Sequence, residues 1–193
     1  MSIDPHSAPL SGRRPAPPPA AQLLDAARDW AAERLVRHGT VHFSCLYRGA
    51  DGRLIALTPY LPARPAVKSI YTAVRDHLIA DGASHYALVG EARVQFATGP
   101  AQASLIVAAC SAAGPEQAVV HRIERHDWGT GLGLEQPLAA GDYLDERALT
   151  LLAAADPPAP GARQRARERL LQALPHHPLQ FGRWQPTRAV RPC

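Results

Sequence analysis

Residues 67–91, VKSIYTAVRDHLIADGASHYALVGE, carry a helical pattern into a strand pattern across a single turn. Val67, Ile70, Tyr71, Val74 and Leu78 recur at spacings of three and four, which puts them on one helix face, with Lys68, Arg75 and Asp76 opposite. Asp81-Gly82 stops the helix, because glycine accepts the left-handed conformation a helix C-terminus needs. Tyr86-Ala87-Leu88-Val89 lacks polar interruptions and reads as a buried strand. An amphipathic helix running straight into such a strand implies a sheet with the helix lying on it.

Upstream, Leu23, Leu24, Ala27, Trp30, Ala31, Leu35 and Val36 describe a first helical face that ends near His38-Gly39. Residues 41–47 alternate Val41, Phe43, Cys45 and Tyr47 against His42 and Ser44, and Ala50-Asp51-Gly52 turns them into a second strand over 53–58. Pro59, Pro62 and Pro65 lead into the 67–81 helix. Downstream, 103–111 is a nearly continuous apolar strand, and Ala113-Gly114-Pro115 turns into a strand over 117–126. That strand sets Val119, His121, Ile123 and Arg125 on one side against Val120, Arg122, Glu124 and His126 on the other. Its polar face suggests that one side of the sheet meets water. Residues 128–141 hold four glycines and read as a loop, with at most a short extended piece over 132–138. Leu144, Ala148, Leu151 and Leu152 give a third helix with Asp142 as its N-cap.

The expected fold is therefore α+β: a five-stranded antiparallel sheet in the order α-β-β-α-β-β-β-α, with helices covering one side. Over residues 21–155 this order resembles the roadblock, longin and profilin-like folds. That resemblance implies a module for dimerisation or scaffolding. Residues 1–20, rich in proline, serine and alanine, read as a disordered leader. A proline-binding partner suits its prolines at 15–19, although a passive leader is the better account. Residues 156–161 form a proline-rich linker, and 162–193 a basic helix and irregular tail.

At 193 residues with 46% apolar and 20% charged side chains, the composition is that of a soluble globular chain. No apolar run approaches the roughly 20 residues of a membrane-spanning helix, and no secretory signal follows Arg13 and Arg14. A cytoplasmic protein that does not engage membranes is expected. Cys45, Cys110 and Cys193 are odd in number and form no CxxC pair, which points to reduced thiols, with no cofactor and no metal site. The net charge of +4 is uneven: residues 157–193 hold seven arginines against the single acid Glu168. Only one of the 21 basic residues is a lysine, so GC-rich coding explains the arginines as readily as phosphate binding does.

The candidate chemistry is sparse. Glu91 with His121 or His126 would suit a small hydrolase or transferase on an anionic substrate, provided the side chains converge. A solvated strand face and a charged cross-strand pair with Arg93, Arg122 or Arg125 explain the same residues without catalysis. His176-His177 diverge on an extended chain. Gly129, Gly131 and Gly133 form GxGxG without the strand-to-helix context of a phosphate loop. Cys45 and Cys110 read as core residues. In the tail, Arg163, Arg167, Phe181, Arg183, Trp184 and Arg188 interleave arginine with aromatics, as in contacts to an acidic partner or single-stranded nucleic acid. The alternative is that the tail's apolar residues fold back on the body. The leading expectation is a non-enzymatic module acting through protein contacts, as a homodimer.

Overall fold

The computed structural model describes residues 19–49, 51–59, 66–96, 99–127, 129–139, 142–152, 161–173 and 179–184. The elements run α1 (Pro19–His38), β1 (Ser44–Arg48), β2 (Leu54–Pro59), α2 (Val67–Asp81), β3 (His85–Val94), β4 (Gln102–Ser111), β5 (Gly114–His126), β6 (Gly129–Pro137), α3 (Glu146–Leu149), α4 (Ala162–Ala173) and β7 (Leu179–Trp184). The strands form one antiparallel sheet in the order β6-β5-β4-β3-β1-β2-β7.

The expected α+β class and antiparallel pairing hold, as does the hairpin of β1 and β2, where Cys45 faces Leu57 across the ladder. The strand count and element order do not: the sheet has seven strands, not five. Both additions are edge strands. β6 occupies the glycine-rich stretch expected to be a loop, pairing along β5 with a register shift between His121 and Ile123. β7 lies in the expected irregular tail and pairs with β2 from Leu54↔Trp184 to Pro59↔Leu179. The leader through residue 18, His176-His177 and Arg188 lie outside the described residues.

A second correction concerns coverage. Helices lie on both faces of the sheet, because β3 and β4 carry apolar side chains at consecutive positions and so need a cover on each side. On one face α1 buries Leu23, Leu24, Ala27, Trp30 and Leu35 against Leu46, Ala87, Val89, Leu105, Val107, Val119 and Ile123. On the other, Val74 and Leu78 of α2 pack with Cys45, Tyr47, Leu57, Tyr86, Leu88, Ala108 and Cys110. The polar residues Arg122, Glu124 and His126 of β5 are exposed where the second cover gives out.

α2 ends as its sequence requires. Gly82 takes φ 68° and ψ 34°, donating its N–H to Ile79 O at 3.1 Å, and Ala83 N–H reaches Leu78 O at 2.9 Å. The back of α2, opposite its apolar face, is covered by α4, and Asp76 there is only 6% exposed. The expected third helix shrinks to the single turn of α3, capped by Asp145 rather than Asp142: the Asp145 side chain accepts from Arg147 N–H at 2.9 Å.

Tyr86 anchors that turn to the sheet. Its buried hydroxyl donates to Ala148 O at 2.8 Å and accepts from Leu151 N–H at 3.0 Å. Tyr86→Phe keeps the ring but strands a buried donor and a buried acceptor, so a loss of about 2–3 kcal/mol is expected in denaturant melts. A change under about 0.5 kcal/mol would show that water replaces both bonds.

Candidate functional site

The three side chains proposed for chemistry fall into separate surroundings. Register places Glu91 opposite Leu105, Leu105 opposite His121 and His121 opposite Glu135, giving one row across β3, β4, β5 and β6 on the α1 face. Glu91 and His121 are thus two strands apart, about 10 Å at the usual strand spacing, with fully buried Leu105 between them. His126 lies on the opposite face, its Nε2 3.8 Å from Glu124 Oε2. The structure does not bring Glu91 together with either histidine.

Each has a structural task. Glu91 Oε1 accepts the N–H of Val41 at 2.5 Å, just ahead of β1, where the β1–β3 ladder has not yet begun. Glu91 Oε2 lies 3.7 Å from Arg125 Nη2, an ion pair that spans β4 and so joins strands two apart, where the sequence suggested a pair between neighbouring strands. His121 is 4% exposed, and its Nδ1 sits 3.2 Å from Gly133 O. A carbonyl only accepts, so Nδ1 carries a proton. Nε2 then faces Glu135 Oε2 at 3.6 Å without a hydrogen-bond partner among the described residues. Arg28 of α1 holds the same Glu135 carboxylate at 3.3 Å. His121 therefore links β5, α1 and the edge strand β6.

The arginines of α4 reach the end of α2. The Arg163 guanidinium occupies the space that a side chain at Gly82 would need, and Arg167 Nη2 donates to Ala80 O at 3.3 Å. Arg169 grips Asp76 with two nitrogens, its Nε lying 3.0 Å from Oδ2. α2 has no basic residue in its own last turn, so α4 supplies the positive charge that a helix C-terminus favours. β7 sets Phe181, Arg183 and Trp184 opposite Leu57, Ile55 and Leu54 of β2.

Cys45 and Cys110 are free thiols inside the sheet, one strand apart from β3 on either side. Burial pushes the Cys110 thiol up to about 12 and raises Cys45 well above its ordinary value. Both are protonated core residues at neutral pH, as their sequence context implied.

The feature that the sequence did not reveal is an open apolar groove of 690 Å³ between the start of α2, the strand lead at 40–43 and the segment 143–145. Phe43 and Tyr71 form its walls, meeting edge to face with centroids 6.1 Å apart. The Arg147 guanidinium stacks 5.7 Å from the Tyr71 centroid while pairing with Asp145 at 2.7 Å. Partial burial and then the Asp145 carboxylate raise the Tyr71 phenol, which keeps its proton and donates to Asp145. Gly90 forms part of the floor. A Cβ there would lie 3.6 Å from Phe43 Cα, an ordinary contact, and the backbone is not left-handed. Neither backbone nor packing demands glycine at this position; its effect is to keep the groove deep.

Among the described residues, no group of three His, Cys, Asp or Glu side chains is placed to hold a metal ion, and no helix is long and apolar enough to cross a membrane. Compared with protein-family models, curated proteins and solved structures, the chain matches none.

Proposed function

We propose that this chain is a non-enzymatic α+β module that works through protein contacts and self-associates as a homodimer in the cytoplasm. The observation that supports this most directly is the groove. It combines the volume of an ordinary ligand site with apolar walls and polar groups at the rim that are already paired with one another. Such a surface suits the apolar side chains of a partner better than it suits chemistry. The groups that chemistry would need, Glu91 and His121, are spent on the strand lead and the edge strand. Free Cys45 and Cys110 suit a reducing compartment. Beside the groove, the edge strands offer a surface for self-association, with Leu134 of β6 89% exposed. Light scattering coupled to size exclusion is expected to show the mass of two chains at high micromolar concentration. A single-chain mass throughout that range would overturn the homodimer.

A further inference from the structure

We propose that two copies of the chain pair through the β6 edge, their β6 strands lying antiparallel across a two-fold axis so that one sheet runs through both. This rests on the self-association proposed above and names the surface that performs it.

Three observations carry it. First, β6 ends the sheet order and, among the described residues, pairs only with β5. Its outer side presents backbone N–H and C=O groups with no strand beside them, which an added extended strand satisfies. β6 has nine residues against six in β7, the opposite edge, and so offers the longer ladder. Second, the usual guards of an edge strand are scarce here. β6 holds no lysine and no proline before Pro137, and its one charge, Glu135, is turned to Arg28 and His121. The register shift opposite His121 and Ile123 is its main irregularity.

The third observation is self-complementarity, and it favours a second copy over a strand from another protein. Leu134 is 89% exposed, the highest value for a large apolar side chain among the described residues. Beside it, α1 and β6 form a shallow hollow of 630 Å³ whose apolar lining includes Ala32 and Leu132. Antiparallel pairing about Gly133, the middle residue of β6, sets Leu134 of the partner subunit opposite Leu132, at that hollow, and the two-fold axis repeats the contact in reverse. The same register sets the partner's Glu135 opposite Gly131, where nothing lies within 4 Å of the place a Cβ would take. The backbone at Gly131 is not left-handed, so neither conformation nor packing within the chain demands glycine there; its effect is to let a second strand come close. The two Glu135 carboxylates, the only charges of the paired strands, then stand about 13 Å apart along the ladder, more than a Debye length at physiological salt.

The test uses the full chain, with Leu134→Lys on the edge and Leu171→Lys, at a 65% exposed position of α4, as control. Both side chains stand in solvent in the single chain, so melts at low concentration are expected to match wild type. In light scattering, Leu134→Lys is expected to raise the dimer dissociation constant by about tenfold or more, and Leu171→Lys to leave it unchanged. Hydrogen exchange at amides within 129–136 is expected to slow by about tenfold or more when the wild-type chain is concentrated, while the β7 amides keep their rates. Either a dimer that resists Leu134→Lys or β6 amides that exchange equally fast in both states would overturn the paired edge while leaving self-association through another surface intact. A single-chain mass at every concentration would overturn both readings.

Discussion

Leu88→Ala is expected to destabilise the protein by about 4 kcal/mol, near the upper end for a buried leucine truncation. Leu88 is fully buried at the middle of β3, which lies at the centre of the sheet. Its backbone neighbours across the ladders are Cys45 on β1 and Ala108 on β4, both small. Neither can expand into the space left behind, and the sheet backbone beneath is fixed by hydrogen bonds on both sides. The cavity therefore stays open, and its surface adds to the lost transfer free energy. For a chain of this size the fall in melting temperature is expected to be roughly 8–16 °C. Leu134→Ala, at an edge position that is 89% exposed, supplies the contrast and is expected to change stability by under about 0.5 kcal/mol. Comparable losses at the two positions would show that the centre of the sheet relaxes around the cavity.

The elements between α1 and β5 were legible because their signals are local. The Val74-Leu78 face, the Gly82 stop, the Asp51-Gly52 turn and the apolar runs of β3 and β4 each specify structure within a few residues. What escaped was non-local. β7 is a strand because it finds β2, more than a hundred residues earlier, and nothing in Leu179-Gln180-Phe181 announces that partner. Three glycines disguise β6, yet an edge strand has a neighbour on one side only, and the thirteen-residue β5 offers it a long template. The helical period correctly put Asp76 away from the sheet; what it could not show was a second helix covering that side. Ala73 and Ala80, also buried, were the available hint, since small side chains on a helix back permit close approach. The candidate site was legible in types but not in placement. The facing of His121 and His126 followed from the strand period, whereas the insertion of Leu105 between Glu91 and His121 required the strand order. The groove had no sequence signal, being formed from three segments that meet only in the fold.

The second large effect concerns the clasp between α4 and α2, and it is expected to be asymmetric. The Asp76 side chain is 8% exposed and that of Arg169 is 51% exposed, so the two partners differ in what they face when left alone. In Arg169→Ala the Asp76 carboxylate stays under α4 without its two-nitrogen grip, and a buried, poorly compensated charge is costly. In Asp76→Ala the guanidinium of Arg169 turns to water, with which it is already half in contact. Arg169→Ala is thus expected to cost about 2–3 kcal/mol and Asp76→Ala about 1 kcal/mol, since the exposed share of the pair contributes little. Arg169→Ala is also expected to loosen α4 as a unit, because the contacts left at the far end of α2 are the Arg167 bond to Ala80 O at 3.3 Å and the Arg163 guanidinium lying against Gly82. Hydrogen exchange should then accelerate across 162–173 and the last turn of α2 while β3 and β4 stay protected. Equal losses from the two substitutions, with exchange in α4 unchanged, would mean that the pair is solvated like any surface ion pair and that α4 is held by its buried Ala166 instead.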